Sequence, residues 1–358
     1  MALPPSPPRR PRRLLLLLLL LLLCGASALS LGVLFLAGGA HEALLSRSLP
    51  YLLPPSRGRP FSPSSCAPLL PSAEAFLLAP AGDPCALRTP FLLVLVASAP
   101  DHAARRQAVR DTWGGVLWAG GRPTRTLFAL GVPSEPSQQA ALEREAARHG
   151  DLLQGRFLDT YANLTLKTLA LLGWAATCCP GASFVVKADD DVFLNLPALA
   201  RHLGALPSPP PPYLGRIHWW VRPNRDPRSR HHLPVPLYPG DAFPPYCSGT
   251  AYVLSGEAVP ALLGAARHVP LVPLEDVFVG LCARQAGLAP LHLPHMAGSE
   301  HFPPDACCYR EVLFSVHGVV PAEMVAVWEE VGTHEGACSA WQRALGLVRC
   351  KALAWLAA

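Results

Sequence analysis

The sequence predicts an α/β domain in which parallel strands are covered by helices on both faces. Strand-like and helix-like segments alternate over residues 91–187, as expected when helices connect parallel strands. Residues 91–97 (FLLVLVA) are apolar throughout, which is typical of a strand buried on both faces. Residues 89–358 are long enough for one domain with a substantial hydrophobic core.

The predicted elements follow one another in a regular order. The first helix is basic and is closed by two glycines, the second is charged and amphipathic, and the third is nearly all apolar and therefore buried. In order, the elements are a strand at 91–97, a helix at 102–113, a strand at 126–130, helices at 138–149 and 164–176, and a strand at 184–187. Ligands of such sheets bind at the carboxyl ends of the strands, so we expect functional residues just after the last of these strands.

The N-terminus predicts a membrane anchor. Residues 14–37 are apolar and begin with a run of leucines, long enough to span a bilayer core of roughly 30 Å. Four arginines and no acidic residue precede the run, so residues 1–13 are expected in the cytoplasm. The alternative is a cleaved signal peptide, whose apolar region is usually shorter, about 7–15 residues. Residues 38–88, rich in Pro, Ser and Leu, predict a stem before a lumenal domain at 89–358.

Charge and cysteine content restrict the kinds of partner and the cellular compartment that fit the sequence. The formal net charge is +5, and four of these charges belong to the N-terminal arginines, so no excess of charge favours a nucleic-acid partner. Ten of the eleven cysteines follow the apolar run, an even number that suits disulfides in an oxidising compartment, although spacing does not fix their pairing. A zinc site is disfavoured because the sequence has no CxxC pair. Asn163 begins a glycosylation sequon, which predicts a glycan there unless the match is due to chance.

Three consecutive aspartates follow the strand at 184–187. Asp189, Asp190 and Asp191 raise one another's cost of ionisation, so either they lie in water at a loop tip or a cation lies among them. The spacing of Asp189 and Asp191 suits one divalent ion, and hard oxygen ligands favour magnesium or manganese bridging to a substrate phosphate. Neither GxGxxG after the first strand nor GxxxxGK[ST] is present, so the common nucleotide-binding loops do not explain the site.

A second acidic pair, Glu275-Asp276, precedes an apolar segment with a helical pattern. One interpretation is a helix N-cap, in which Asp276 accepts from free backbone N–H groups. The other is a general base in a cleft, and a capping position does not exclude that role. The two interpretations stay open at this point.

Seven motifs, taken together, resemble the β-1,3-galactosyltransferases of glycosyltransferase family 31. They stand in the order found in that family and cover nearly all of residues 90–320. The motifs are RRQAVRDTWG (105–114), YANLTLKT (161–168), FVVKADDDVFLN (184–195), YLGRIHW (213–219), FPPYCSGTAYVLS (243–255), LEDVFVGLCARQAGL (274–288) and YREVLFSVHG (309–318). The family usually has Thr at the position of Ala188. The resemblance implies a GT-A-type nucleotide-sugar-binding fold, a mixed sheet flanked by helices.

The resemblance also implies a metal site. The three aspartates match the family's DxD element, in which Asp191 would ligate Mn²⁺ directly. Asp189 would face the uridine ribose or reach the ion through water, and Asp190 belongs to the same donor-binding element. His317 matches a family position that supplies a histidine ligand. Without the resemblance, a single histidine beside an apolar run would be interpreted as a core residue.

Four further residues are candidates for substrate binding. Arg106 and Arg110 lie four residues apart, on one face of the predicted first helix, where they would meet the uracil or the diphosphate of the donor. The alternative is that both are solvated surface residues. Lys167 is a weaker candidate of the same kind. Trp219 is a candidate for stacking on a sugar ring, and burial alone would also explain a tryptophan there.

The activity implied by the resemblance is an inverting transfer of galactose from UDP-galactose to the 3-hydroxyl of N-acetylgalactosamine. Asp276 would be the general base, with Glu275 as the alternative. Two C-terminal motifs, CCYREVLFSVH (307–317) and LGLVRCKALAWL (345–356), are similar to a family member that extends ganglio-series glycolipids, so a ganglioside-type acceptor is expected. The implied location is the Golgi membrane, with single-pass type II topology. The rival interpretations are a related transferase that uses another donor, such as UDP-N-acetylglucosamine, and an inactive glycan-binding relative.

Overall fold

The computed structural model describes residues 38–52, 76–80, 88–333 and 338–357, together with Cys85 and isolated positions between 22 and 32. The predicted cytoplasmic tail lies outside the described residues, and so does most of the predicted transmembrane segment. Within the described part of the chain, no helix is both long enough and apolar enough to cross a membrane.

Nine strands of the described residues form one mixed sheet, and two more form a separate ribbon. The strands are β1 (Phe76–Leu78), β2 (Leu92–Ala97), β3 (Trp118–Ala119), β4 (Arg122–Val132), β5 (Leu152–Leu158), β6 (Phe184–Asp189), β7 (Val192–Leu194), β8 (Tyr213–His218), β9 (Tyr246–Ser255), β10 (Pro290–His292) and β11 (Ser315–His317). The order in the sheet is β1-β5-β4-β2-β6-β9-β8-β10, with β3 paired to the start of β4. The ribbon consists of β7 and β11.

Helices cover the sheet. They are α1 (Ala40–Leu52), α2 (Ala103–Asp111), α3 (Pro136–His149), α4 (Leu164–Cys178), α5 (Leu196–Gly204), α6 (Ala258–Ala266), α7 (Glu275–Gln285), α8 (Pro321–Thr333) and α9 (Ala340–Ala357), which is kinked at Gly346. A short π-helical turn, Cys308–Val312, precedes β11. The predicted α/β class, a mixed sheet flanked by helices, is confirmed.

Strand directions follow from the connections. β5, β4, β2 and β6 are mutually parallel, and helices connect them along the chain. β9 runs antiparallel to both β6 and β8, which makes the sheet mixed. Every residue of β2 is buried because alternate side chains enter two hydrophobic cores, one on each face of the sheet. This two-sided burial explains why the strand is apolar at every position.

Two segments of the predicted stem belong to the folded structure. β1 pairs antiparallel with β5, at the edge of the sheet. At the opposite edge, α1 packs beside β10, with Leu49 buried in the core. A helix in a region without an apolar period is explained by these tertiary contacts, which sequence periodicity does not register.

Disulfides fasten the C-terminal part of the fold, and the prediction of disulfide bonds is confirmed. The adjacent Cys307 and Cys308 bond to Cys338 and Cys350, so two bridges connect the π-helical turn to the C-terminal region. A third bridge joins Cys85 to Cys179 across a long stretch of chain. In each case the bridge restricts the unfolded chain more than the folded one.

Candidate active site

The three aspartates lie at the carboxyl end of β6, where the sheet predicts a ligand site. The register of β2 and β6 places Asp189 beside Ala97, so the aspartates adjoin the loop that leads into α2. An open cleft of about 560 Å³ begins here, and its walls include Asp189, Lys187, Glu275 and Asp276. Residues from the loop between β8 and β9 form its other side: Val221, Arg222, Asn224, Arg230, His231 and Phe243.

Asp190 is buried and fully engaged within the protein. Its Oδ2 accepts from Ser98 Oγ at 2.7 Å and lies 2.8 Å from Nδ1 of His102. Its Oδ1 accepts from Arg105 at 3.2 Å. These contacts connect the end of β6 to the start of α2. We therefore expect Asp190 to hold the aspartate loop in place rather than to bind the donor directly.

Asp191 and His317 meet through the β7–β11 ribbon. The antiparallel register places His317 opposite Val192, the residue that follows Asp191. As a result, Nε2 of His317 lies 3.6 Å from Oδ1 of Asp191. That carboxylate oxygen is buried and has no hydrogen-bond partner among the described residues.

These two atoms fit a shared divalent ion, because a buried carboxylate oxygen without a donor lies near an imidazole nitrogen. The described residues contain no group of three or more Asp, Glu, His or Cys side chains arranged around such an ion, so other ligands would come from substrate or water. Arg105, with its guanidinium 3.2 Å from Oδ2 of Asp191, was missed by the sequence reasoning, which singled out Arg106 and Arg110 on another face of the helix instead.

Asp189 is paired with Lys187, two residues earlier on β6. Lys187 Nζ donates to Asp189 Oδ1 at 2.6 Å and also to the carbonyl of Gly249 on β9. Burial raises the pKa of Asp189, and the neighbouring ammonium only partly offsets this effect. Burial alone would lower the pKa of Lys187, but Asp189 and Glu275 outweigh it and raise that pKa instead. The lysine is therefore a fixed positive charge beneath the cleft.

Glu275, the first residue of α7, points into the protein. Its Oε1 accepts from Tyr252 OH at 2.8 Å and from Thr168 Oγ1 at 3.0 Å, and its Oε2 lies 3.7 Å from Lys187 Nζ. Burial raises the pKa of this carboxyl, and Lys187 opposes the rise. With one oxygen taken by two hydroxyls and the other facing a lysine, Glu275 supports the site from below.

Asp276 is half-buried and faces the cleft. Its two oxygens accept from the backbone N–H groups of Val277 at 2.8 Å and Gly249 at 3.2 Å. Leu274 is the N-cap residue of α7, so Asp276 lies inside the first turn and is not the N-cap. A Cβ on Gly249 would approach Asp276 to 3.2 Å, which explains a glycine at that position. Burial raises the pKa of Asp276, and the two backbone hydrogen bonds only partly offset this.

Neither Arg106 nor Arg110 is among the described residues that line the cleft. Arg106 is completely buried and donates twice to Glu145, at 2.8 Å each. Arg110 donates to Asp151 and to Glu145. Both guanidinium groups therefore hold α2 against α3, and their expected contact with the donor stays a prediction. The shared helix face was predicted, but the acidic partners come from α3 and the turn after it.

Lys167 also stabilises the fold around the site. Its ammonium donates to the Ser98 carbonyl at 2.5 Å and to Asp159 at 3.0 Å. Burial lowers the pKa of Lys167, although Asp159 opposes the change. The side chain supports the loop between β2 and α2, whose Ser98 also contacts Asp190, and it does not line the cleft described above.

Three aromatic residues and the sequon complete the comparison with the sequence. Trp219 is half-buried, with its Nε1 buried and unpartnered among the described residues, whereas Trp220 is exposed and has a left-handed backbone, φ 54°. Tyr161 lines the cleft, with the Arg230 guanidinium over its ring. Asn163 is half-buried beside this wall and donates from Nδ2 to the Leu158 carbonyl at 2.9 Å. A glycan on Asn163 stays a prediction.

Comparison with known proteins gives a consistent family. The family described as Galactosyltransferase matches residues 104–294. The chain is 42% identical to beta-1,3-galactosyltransferase 4 of Homo sapiens over 90% of this chain and 94% of that protein. It is 35% identical to human beta-1,3-galactosyltransferase 9, over 81% and 78% of the two chains.

Two further similarities involve an enzyme of another transferase class and a solved structure. The human acetylgalactosaminyl-O-glycosyl-glycoprotein beta-1,3-N-acetylglucosaminyltransferase is 42% identical over 71% of this chain and 69% of its own length. The solved structure of the WbbM bifunctional glycosyltransferase gives a TM-score of 0.40 at 9% identity, over 72% of this chain and 52% of that one. The latter likeness is too remote to assign a fold type.

Proposed function

The chain belongs to the galactosyltransferase family and is a hexosyltransferase, and from this premise we propose that it transfers galactose from UDP-galactose, in β-1,3 linkage, to the N-acetylgalactosamine of ganglio-series glycolipids. The fold proposed for this activity is the GT-A type. The similarity to beta-1,3-galactosyltransferase 4 over nearly the full length of both chains supports the donor and the linkage. The ganglioside-type acceptor is supported only by the similarity of the C-terminal motifs.

The observation that carries this proposal is that Asp276 shares a cleft with Asp189 of the aspartate loop. Asp276 and Asp189 line the same cleft but belong to different elements, α7 and β6. A transferase needs such an arrangement, with a proton acceptor on the acceptor side and charge compensation on the diphosphate side. Asp276 presents a half-buried carboxylate, whereas Glu275 beside it is engaged with internal partners.

In the proposed reaction, the acceptor 3-hydroxyl oxygen forms a bond to the anomeric carbon of galactose from the face opposite the diphosphate. The bond from that carbon to the β-phosphate oxygen breaks, and UDP leaves with the electron pair. Asp276 takes the hydroxyl proton, and its raised pKa makes it a better acceptor than an ordinary aspartate. Lys187 and Glu275 hold the floor of the cleft, which keeps Asp189 in place.

We propose Mn²⁺ as the metal, held by Asp191 and His317, with Asp189 nearby. The buried, unpartnered oxygen of Asp191 and the imidazole 3.6 Å away support this assignment. When bound, the ion would supply Lewis-acid stabilisation of the departing diphosphate. Arg105, which contacts both Asp190 and Asp191, adds a fixed positive charge at the same end of the site.

A screen of donors and acceptors tests the proposal. Purified full-length protein is offered each UDP-sugar with Mn²⁺, with and without a glycan ending in N-acetylgalactosamine, and UDP release is measured. UDP-galactose should give release that depends on this acceptor. Release with UDP-N-acetylglucosamine instead would favour the second candidate, a β-1,3-N-acetylglucosaminyltransferase, which the similarity to the human enzyme of that class supports. The absence of release with every donor would favour an inactive glycan-binding protein.

We further propose that the protein is a single-pass type II protein of the Golgi membrane, with residues 14–37 as an uncleaved anchor. The arginines before the leucine run and the three disulfides support this orientation. Alkaline washing should leave the full-length protein in the membrane, and sealed vesicles should protect its C-terminal part from protease. A soluble product that lacks the leucine run would favour a cleaved signal peptide.

A further inference from the structure

The chain meets the folded domain immediately after the proposed anchor. Gly39 lies two residues beyond position 37, and a Cβ built on it would lie 3.0 Å from Pro294, next to β10. Two extended residues span at most about 7 Å. If residues 14–37 form the proposed anchor, the chain therefore reaches the β10 edge of the sheet within two residues of the end of that anchor.

Helix α1 is fixed to that edge by polar contacts. Glu42 pairs with Arg216 of β8 at 2.5 Å and with His292 of β10 at 3.2 Å. Ser46 accepts from the backbone N–H of His292 at 3.0 Å. These groups are buried or half-buried, so α1 cannot swing away from β10 without losing an ion pair and a hydrogen bond.

Helix α9 lies on the same side of the molecule as α1. Arg216, which binds Glu42, also pairs with Glu300 at 3.4 Å. Glu300 in turn lines a cavity of about 320 Å³ together with Lys351 and Trp355 of α9. Through Arg216 and this cavity, the two helices are neighbours at one edge of the domain.

Both helices expose large apolar side chains. In α9, Trp355 is 79% exposed and Leu356 beside it is 74% exposed, and Trp341, which precedes the kink at Gly346, is 77% exposed. Leu44 and Leu45 of α1 are about half exposed. Tryptophans exposed in this way suit a membrane–water interface, where an apolar ring and a polar N–H are both satisfied.

The charge of α9 does not oppose a location at a lipid surface. The helix carries Arg343, Arg349 and Lys351 and no acidic residue. Arg349 pairs with Asp305 and Arg343 with Glu311, both outside the helix. A helix that exposes Trp and Leu and carries no acidic residue is suited to a lipid surface. A second protein copy would cover the apolar side chains equally well, but it would not explain why they adjoin the exit of the anchor.

We propose that α1 and α9 rest on the lumenal surface of the bilayer, with Trp341 and Trp355 inserted at the level of the lipid headgroups. The inference rests on the anchor proposed above. It deepens the proposed function, because a domain held flat against the membrane reaches the short glycans of lipid acceptors that stay in that membrane.

Fluorescence quenching by brominated phosphatidylcholine tests the contact. The full-length protein is reconstituted in phosphatidylcholine vesicles with and without the brominated lipid, and the double variant Trp341→Phe/Trp355→Phe is measured in parallel. The emission that the two tryptophans contribute, obtained by difference, should be strongly quenched. Trp118→Phe is the matched control, because Trp118 is 52% exposed on β3, which pairs with β4 far from the β10 edge. Its contribution should be quenched little.

Three outcomes would overturn the proposal. The first is equal quenching of Trp118 and of the α9 pair. The second is failure of the wild type to stay in the vesicles. The third is a dimer in which the α9 tryptophans are shielded from lipid, which would make this face a subunit interface. None of these outcomes depends on transferase activity.

The ratio of the activities on a lipid acceptor and on a soluble acceptor provides a second test. Trp341→Glu/Trp355→Glu should lower transfer to an acceptor lipid in vesicles several-fold, and transfer to the same glycan free in solution should change little. Equal loss on both acceptors would overturn the proposal. If the wild type transfers to neither acceptor, the proposed function fails, and the quenching result still decides the membrane contact.

Discussion

The imidazole of His317 lies 3.6 Å from a carboxylate oxygen of Asp191, although the two residues belong to distant parts of the chain. The β7–β11 ribbon creates this proximity, because its register places His317 opposite the residue after Asp191. The same oxygen lacks a hydrogen-bond donor among the described residues. A buried acceptor without a donor is costly, and a bound cation would remove that cost.

Asp191→Asn should therefore remove metal binding and most activity. Loss of several kcal/mol of transition-state stabilisation corresponds to a decrease on the order of 10²-fold or more in turnover. Binding of Mn²⁺ to the full-length protein, followed by electron paramagnetic resonance of the free ion, provides a readout besides activity. Asp226→Asn is the control, because Asp226 is an exposed aspartate whose carboxylate binds Arg228. Full transfer by the wild type in a chelator would contradict the metal assignment.

Asp276→Asn should lower turnover by about 10²–10⁴-fold, because positioned general-base catalysis contributes roughly that much. The amide oxygen can still accept one backbone hydrogen bond, so binding of UDP should change little. Glu275→Gln is the matched change on the neighbouring residue, and we expect a distinctly smaller loss, since the amide oxygen can keep its bonds to Tyr252 and Thr168. If Glu275→Gln abolishes turnover and Asp276→Asn does not, the roles are reversed.

The pH dependence should follow Asp276. Because its pKa is raised above the ordinary value of 3.8, turnover should fall, as the pH decreases, at a higher pH than an ordinary aspartate would give. Lys187→Met removes the ammonium that lowers the pKa of Asp276, so the acid limb of the pH–rate profile should move further upward. An unchanged limb in Lys187→Met would show that this network does not set the pKa of the base.

Substitution of Arg106 should mainly affect stability, and substitution of its neighbour Arg105 should mainly affect donor binding. Arg106→Met leaves half-buried Glu145 with only Arg110 as a partner, which should cost about 1–3 kcal/mol of unfolding free energy. Arg105→Met removes a more exposed side chain, so stability should change little while the KM for the UDP-sugar increases. Urea unfolding and initial rates measure the two effects. A higher KM in a fully folded Arg106→Met variant would restore its predicted role at the donor.

Glu42 should contribute to acid sensitivity. Although burial opposes it, contacts with His292 and Arg216 lower the pKa of Glu42 from 4.5 to about 2. A carboxylate with a lowered pKa stabilises the fold above its unfolded value, and this contribution is lost as the pH falls from 4.5 towards 2. Glu42→Gln should therefore flatten the loss of unfolding free energy over that range. If the wild type and the variant lose stability in parallel, the ion pair contributes nothing measurable.

The sequence predicts the strands and helices of the first half of the domain well, because neighbouring residues encode each of them. The apolar run at 91–97 becomes β2 with one residue of difference, and the buried helix predicted at 164–176 becomes α4. Both depend on periodicity and burial, which neighbouring residues encode. The helix at 40–52 was missed because contacts with β10 stabilise it, and such contacts are not visible in sequence periodicity.

The candidate site was predicted in its residue types more than in its contacts. The aspartate loop and the Glu275-Asp276 pair line or adjoin one cleft, in agreement with the order of the motifs. Arg105 and Arg106 face different directions because they are adjacent residues of a helix. The sequence does not show which of the two faces the aspartates. Only the fold shows that one contacts the aspartates and the other Glu145.

The disulfide between Cys307 and Cys338 encloses β11 and therefore His317 within a covalent ring. A second bridge, from Cys308 to Cys350, closes a larger ring around the same strand. The proposed metal ligand is thus presented by a part of the chain that acquires its final geometry only after two oxidation events. We therefore expect catalytic activity to depend on the oxidation of these cysteines. A chain synthesised under reducing conditions would carry every site residue and still lack a firmly held His317.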